Sequence, residues 1–182
     1  MPSVRPALVL VAIITVSVMI LSFLYNITRE PVRQSQIARE TAAMNTLVPG
    51  TVSVNEEYIN DGSAVSKIKT GYDANGTVVG YTVTASAAGY AGPVVLMAGF
   101  DAAGTLTGVQ IINQRETPGL GTAILNDDFL SQFAGRTETM TVVRMPSADN
   151  EIAALASATI STSAVVNGIN AAMEFIAEYI NN

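Results

Sequence analysis

Residues 7–24 read ALVLVAIITVSVMILSFL, eighteen in a row without a charge, interrupted only by the hydroxyls of Thr15, Ser17 and Ser22. A helix satisfies its own backbone in lipid and needs about 20 residues to cross the hydrocarbon. The stretch, extended by Tyr25 and Ile27, is therefore expected to be a single transmembrane helix with Tyr25 at the interface. A cleaved signal peptide is the competing reading; its apolar core would be about 7–15 residues long, and no small-x-small site closes this one. Arg5 lies on one side of the span and Arg29, Arg33 and Arg39 on the other. Counting basic residues alone favours a cytoplasmic domain.

The chain beyond the span must fold within the rest of 182 residues, enough for one domain and an accessory segment. A formal net charge of -6 removes the electrostatic footprint that a phosphate backbone requires, so no nucleic-acid partner is expected. The chain has no His and no Cys. That excludes zinc sites, Cys-ligated clusters, disulfides, and Ser-His-Asp or Cys-His catalysis. Chemistry is left to carboxylates, hydroxyls, backbone amides or a bound cofactor.

Residues 29–48 lack Gly, and Ile37, Met44 and Val48 recur at spacings of seven and four, which predicts a helical stalk that Pro49-Gly50 ends. The period then changes. KIKTGY, the link Asp73-Ala74-Asn75-Gly76, and TVVGYTVTAS predict a hairpin, with Val79, Tyr81, Val83 and Ala85 on one face. Residues 94–100 and 106–112 predict a second hairpin around Asp101-Ala102-Ala103-Gly104. Residues 126–134 carry Phe129, Leu130 and Phe133 at helical spacing, and residues 140–143 suit another strand. Val165, Val166, Ile169, Ala172, Met173, Ile176 and Ile180 form one apolar stripe of period 3.6, so a helix is expected just after residue 160, with Ser161 or Ser163 as its cap. The expected organisation is an anchor (1–27), a stalk (28–50) and one α+β domain of antiparallel sheet and packed helices (51–182).

Two segments have compositions that packing does not require. Glu116-Thr117-Pro118-Gly119-Leu120-Gly121 comes after a predicted strand and offers a carboxylate, a hydroxyl and glycines that let backbone approach a ligand; an ordinary turn has the same composition. Ala156-Ser157-Ala158-Thr159-Ile160-Ser161-Thr162-Ser163 is small and hydroxyl-rich and leads into the last helix, whose unpaired amides and dipole suit a phosphate, or need only a Ser/Thr cap. Asp127-Asp128 reads as a first helical turn favoured by the dipole and not as a metal site. Asn26-Ile27-Thr28 and Asn75-Gly76-Thr77 match the glycosylation acceptor pattern, the first too near the bilayer to be used and the second on a predicted turn.

Taken together, GYAGPVVLMAGFDAAGTLTGVQIINQRETPGLGTAI and ASATISTSAVVNGIN resemble the FMN-binding domain of the G subunit of Rnf-type ion-translocating oxidoreductases, shared with the C subunit of the Na+-translocating NADH:quinone reductase. Gly89-Tyr90, Gly92-Pro93, Gly99-Phe100-Asp101, residues 116–121 and the small-residue motif all fall in the family's order, and ETPGLG is the specific piece. In that family a Ser-Gly-Ala-Thr motif precedes the last helix, and a flavin transferase esterifies its threonine with the phosphate of FMN. Ala156, Ser157, Ala158 and Thr159 match it, so the resemblance implies FMN held covalently by a phosphoester at Thr159. Here Ser157 replaces the family's glycine, which permits a positive φ, and Ala153 replaces an aspartate that helps the transferase recognise its target.

The resemblance further implies a cofactor site formed by Glu116, Thr117, Gly119, Leu120, Gly121, Ser157, Ala158, Thr159, Ser161 and Thr162. Thr117 would bond the ring and Leu120 cover it, while the Gly119 and Gly121 amides approach its edge. Glu116 would tune the potential or cap the loop, and Thr162 is a second, poorer hydroxyl. Implied partners are the other membrane subunits of an Rnf-type complex, a flavin transferase, and a redox protein as donor or acceptor. The implied function is an electron relay, not catalytic alone, in a complex driving Na+ or H+ across the membrane, with the domain on the extracytoplasmic side. The alternatives are a membrane-tethered assembly module of the same fold with loose or no flavin, and a ligand sensor unrelated to electron transfer.

Overall fold

The computed structural model describes residues 4–181, apart from the side chains of residues 26, 28–33 and 36. The expectations for Arg29, Arg33, and the acceptor pattern of Asn26 and Thr28 lie outside the described residues. Helix α1 (Arg5–Leu47) is continuous over 43 residues. Its segment Arg5–Tyr25 has a mean hydropathy of 2.9, is wholly exposed, and is long and apolar enough to cross a membrane. One compact unit ends at Arg39 and a second begins at Glu40. The expected stalk therefore divides: its last turn, with Ala43, Met44, Leu47 and Val48 buried, belongs to the domain. The helix ends where Pro49-Gly50 was expected to end it, with Gly50 at φ +90° and the Thr107 hydroxyl donating to the Leu47 carbonyl at 2.6 Å.

The domain is built on a five-stranded antiparallel meander, β1 (Ser53–Tyr58), β2 (Val65–Tyr72), β3 (Val78–Ala88), β4 (Pro93–Asp101) and β5 (Leu106–Asn113), in that spatial order. Both predicted hairpins are present, and they share one turn chemistry. In Asp73-Ala-Asn-Gly-Thr77 and again in Asp101-Ala-Ala-Gly-Thr105, one aspartate oxygen accepts the N–H groups two and four residues on, at 2.8–2.9 Å. The glycines take φ +79° and +86°, which only Gly adopts freely. Strand β1 has no counterpart in the sequence reading: SVNEEY is exposed along its whole length, so no alternation marks it.

Tyr81, Val83 and Ala85 share a face as expected, and Val79 does not join them. Between Gly71 and Tyr72 the partner on β3 jumps from Gly80 to Val78. The extra residue, Val79, is turned to the α1 side of the sheet, where it packs with Ala43, Leu47, Val48 and Met97. Leu47 sits so close that a Cβ on Gly99 would lie 2.5 Å from its own Cβ.

The opposite face is covered by α3 (Thr159–Asn181), whose Val165, Val166, Ile169, Ala172, Met173 and Ile176 join Val83, Leu96, Phe100 and Phe133 in the main core. Burying each of the larger of these side chains stabilises by about 1.5–3 kcal/mol, enough to make this the dominant interface. Ile180, at the end of the stripe, is exposed. Between β5 and α3 run a 3-10 turn (Gly121–Leu125), the short helix α2 (Asp127–Ser131), and two strands, β6 (Thr141–Val143) and β7 (Glu151–Ala153), paired in parallel. The strand expected at 140–143 is thus present, though outside the antiparallel sheet. The Asn170 side chain ties it to α3, accepting from Met140 N–H at 2.8 Å and donating to its carbonyl at 2.7 Å.

Helix α3 begins at Thr159, earlier than the composition indicates. The Thr162 N–H donates to the Ala158 carbonyl at 2.9 Å, which puts Ala158 at the capping position. Ser161 and Ser163 are therefore inside the first turns and cap nothing. An alanine offers no side-chain acceptor, so the first-turn amides lack the usual Ser/Thr cap.

Candidate functional site

Three segments far apart in the chain converge on one cleft of about 520 Å³. Residue 90, from the β3–β4 connection, forms one wall; residues 116–121, after β5, form another; residues 157–161, entering α3, form the third. The cleft is lined by Tyr90, Glu116, Thr117, Leu120, Gly121, Ser157, Ala158, Thr159, Ile160 and Ser161. The two segments singled out by composition thus meet.

Glu116 joins the walls. It is 4% exposed, its Oε1 accepts the N–H groups of Tyr90 (2.9 Å) and Ala91 (3.3 Å), and its Oε2 accepts the Ser161 hydroxyl at 2.6 Å. Glycine is required around it: a Cβ on Gly89 would fall 2.3 Å from Oε1, and one on Gly121 would fall 2.7 Å from Oε2. Gly121 therefore makes room for Glu116 while lining the cleft. Gly119 departs from expectation. It does not line the cleft, and its N–H is engaged by the Thr122 hydroxyl at 3.0 Å; its φ of +78° closes the loop.

The hydroxyls ahead of α3 separate cleanly. Thr159 is exposed and lines the cleft, as does Ser157. Ser161 is buried against Glu116. Thr162 is fully buried and lies outside the cleft lining: its Oγ1 donates to the Ala158 carbonyl at 2.9 Å and accepts the Leu155 N–H at 3.1 Å. It closes the turn, with its hydroxyl engaged as both donor and acceptor.

Ser157 has φ +62°, the one positive φ outside glycine among the described residues. It is the third residue of a turn closed by Ala158 N–H on the Leu155 carbonyl at 3.0 Å, a position at which positive φ favours glycine. That is the physical reason a glycine suits the motif.

Two contributors escaped the sequence reading of the site. Tyr90 and Ile160 are 70% and 53% exposed and line the cleft. Ile160 carried a signal: it is a large apolar residue off the core stripe of α3, so its side chain serves something other than the core. Tyr90 stood in the loop motif Gly89-Tyr90, with no periodicity to assign it. Asp127 and Asp128 fall in the first turn of α2, and among the described residues no group of three or more acidic side chains converges.

The cleft lies within the range of about 300–1,000 Å³ typical of small-molecule sites. Its apolar walls (Tyr90, Leu120, Ile160) suit a flat ring, and its exposed hydroxyls at an uncapped helix start suit a phosphate. The donor set fits a phosphorylated aromatic cofactor.

A family model described as FMN-binding domain matches residues 89–174. The chain is 30% identical over 179 residues to the G subunit of the ion-translocating oxidoreductase complex of Methanosarcina acetivorans, covering 92% of this chain and 90% of that one. It is 41% identical over 107 residues to the G subunit of the Na(+)-translocating ferredoxin:NAD(+) oxidoreductase complex of Acetobacterium woodii, covering 56% and 51%. Among solved structures, the C subunit of the Na(+)-translocating NADH-quinone reductase from Parabacteroides distasonis superposes with a TM-score of 0.53 at 18% identity, over 76% of this chain and 83% of that one, a likeness of fold. With the span, the meander, the cleft and a full-length relative in agreement, the chain belongs to the family of G subunits of the Rnf-type ion-translocating oxidoreductase complexes.

Proposed function

We propose that this chain is the membrane-anchored FMN subunit of an Rnf-type complex, relaying electrons between partner subunits, and that Thr159 carries the FMN through a phosphoester. The observation that bears the reading is the free Thr159 hydroxyl, in the cleft, at the start of a 23-residue helix without a side-chain cap. FMN in the cleft supplies reversible electron uptake. The chain's own residues hold and orient it. Thr159 provides the tether, the first-turn amides and helix dipole stabilise the phosphate charge, and Tyr90, Leu120 and Ile160 exclude water. Thr117 offers a polar contact on the facing wall.

Attachment would exchange one phosphorus–oxygen bond for another: the Thr159 oxygen would take the place of the activating group on the flavin phosphorus, that group would leave on its own oxygen and take up the hydroxyl proton, and the mass of the chain would rise by one FMN less one water. The activated flavin phosphate and the transferase come from outside the chain. Cys-ligated clusters that donate to or accept from the flavin belong to partner subunits, since this chain has no Cys to hold one. On this reading the domain lies on the extracytoplasmic side, where a tether prevents loss of the cofactor; a single span with few flanking arginines is oriented by assembly as well as by its own charges.

The test is intact mass of the membrane-extracted chain co-expressed with a flavin transferase. One FMN minus water is expected, fragmentation placing it on Thr159, and Thr159→Ala is expected to abolish in-gel flavin fluorescence. An unmodified Thr159 peptide in the wild type removes the covalent assignment.

A further inference from the structure

We propose that Glu116 is the positioning residue of the cleft, presenting Thr159 for attachment through its grip on Ser161 and setting the Tyr90 wall through its grip on the residue 90 and 91 amides. The inference rests on the flavin reading above and specifies what holds that site in shape. Ser161 lies two residues after Thr159 on the first turn of α3, so the 2.6 Å bond from its hydroxyl to Oε2 fixes the helix about its axis. Thr159 then faces the cleft while Thr162 faces the turn it closes. On the other side of the same carboxylate, two backbone N–H groups hold the loop bearing Tyr90. One side chain sets the distance between walls that are 26 and 45 residues from it along the chain.

The choice of a carboxylate is informative. All three partners are donors, and an ionised carboxylate is acceptor-only, so it accepts from all of them at once. A glutamine keeps the reach but not the charge: its Oε1 still accepts the loop N–H groups while its amide nitrogen donates to the Ser161 hydroxyl, which turns to accept, so Glu116→Gln removes the charge and Glu116→Ala removes the clamp. No cation among the described residues pairs with the charge. The ion pairs among those residues are all in the Glu40, Glu56, Lys67 and Lys69 group. A redox group seated in the cleft lies beside the Glu116 carboxyl that lines it, and negative charge at that position opposes the uptake of electrons and holds the potential down.

The experiment compares full-length wild type, Glu116→Ala, Glu116→Gln, Ser161→Ala, and an Ile176→Val or Ile176→Ala core variant chosen to match their melting temperature, each in detergent with a flavin transferase and its flavin substrate. Glu116→Ala and Ser161→Ala are expected to slow attachment at Thr159 at least tenfold relative to the matched core variant. The flavin that attaches to Glu116→Gln is expected to have a higher midpoint potential than in wild type. In the unlabelled chain, amide exchange at residues 90 and 91 and in the first turn of α3 is expected to accelerate in Glu116→Ala and not in the core variant. Attachment as fast as in the matched variant, an unmoved potential, or unchanged exchange at residues 90 and 91 each overturns the proposal. If the wild type takes no flavin at Thr159, the functional reading fails and the exchange result alone decides on the clamp.

Discussion

Ser157 is the residue at which this chain departs from its motif, and the departure has a measurable consequence. A side chain at φ +62° is strained by contact between its Cβ and the following carbonyl, a cost that glycine does not incur but partly returns through its larger unfolded-state entropy. Ser157→Gly is expected to stabilise the domain by about 0.5–1 kcal/mol. Ser157→Ala, which keeps the Cβ, is expected to give no gain. Thermal unfolding of the three proteins decides: a lower melting temperature for the glycine variant contradicts the strain. The family resemblance points to Thr159 and makes Thr162 the poorer candidate; burial adds a physical reason, because Thr162 has both its donor and acceptor roles filled by the turn.

At the level of elements, the end of α1 is fastened to the sheet edge by charge as well as by Leu47. Glu40 accepts from Lys67 at 2.9 Å and Lys69 at 3.1 Å, and Glu56 on β1 lies 3.1 Å from Lys69 and 3.6 Å from Lys67. The two strands place Glu56 directly opposite Lys69 and Tyr58 opposite Lys67, whose ammonium sits 5.2 Å from the Tyr58 ring centroid. This arrangement gives an otherwise exposed strand its reason to pair. Partial burial would raise the Glu40 carboxyl, but the hydrogen bonds and charges of the two lysines outweigh it and hold the group below its ordinary 4.5. A carboxyl depressed in the folded state stabilises above its unfolded value and loses that contribution as pH falls through the lower, folded one. The melting-temperature difference between wild type and Glu40→Gln is therefore expected to be largest near neutrality, corresponding to about 1 kcal/mol, to narrow as pH falls below the ordinary 4.5, and to close once it has passed the lower, folded value. A difference independent of pH assigns the effect to packing instead.

For the molecule as a whole, the boundary between anchor and domain falls at residue 40, inside a continuous helix, and truncation tests it. A chain starting at Glu40 keeps Ala43, Met44, Leu47 and Val48 in place and is expected to fold in water with little change in melting temperature. A chain starting at Thr51 loses all four, about 5 kcal/mol of burial at roughly 1.5 kcal/mol or less per side chain, and is expected to melt at least about 10 °C lower or fail to fold. Equal melting temperatures for the two would show that the last turn of α1 is only a connector.

The sequence by itself determined the elements that local pattern specifies. The span comes from an uninterrupted apolar run, the two hairpins from alternation around Asp-x-x-Gly-Thr turns, and α3 from its stripe, because each depends on residues within a few positions of one another. Two motifs flagged by composition and by family resemblance also proved to be neighbours. Only the tertiary structure decided which hydroxyl stays free, that Gly121 makes room for a carboxylate, that Val79 is turned to the α1 side by a bulge, and that an all-exposed strand pairs at the sheet edge. Those outcomes depend on contacts such as Glu116 with Ser161 and Glu40 with Lys67, 45 and 27 residues apart. Partners so distant leave no period in the chain; the packing of α3 and the end of α1 on opposite faces of the sheet brings them together.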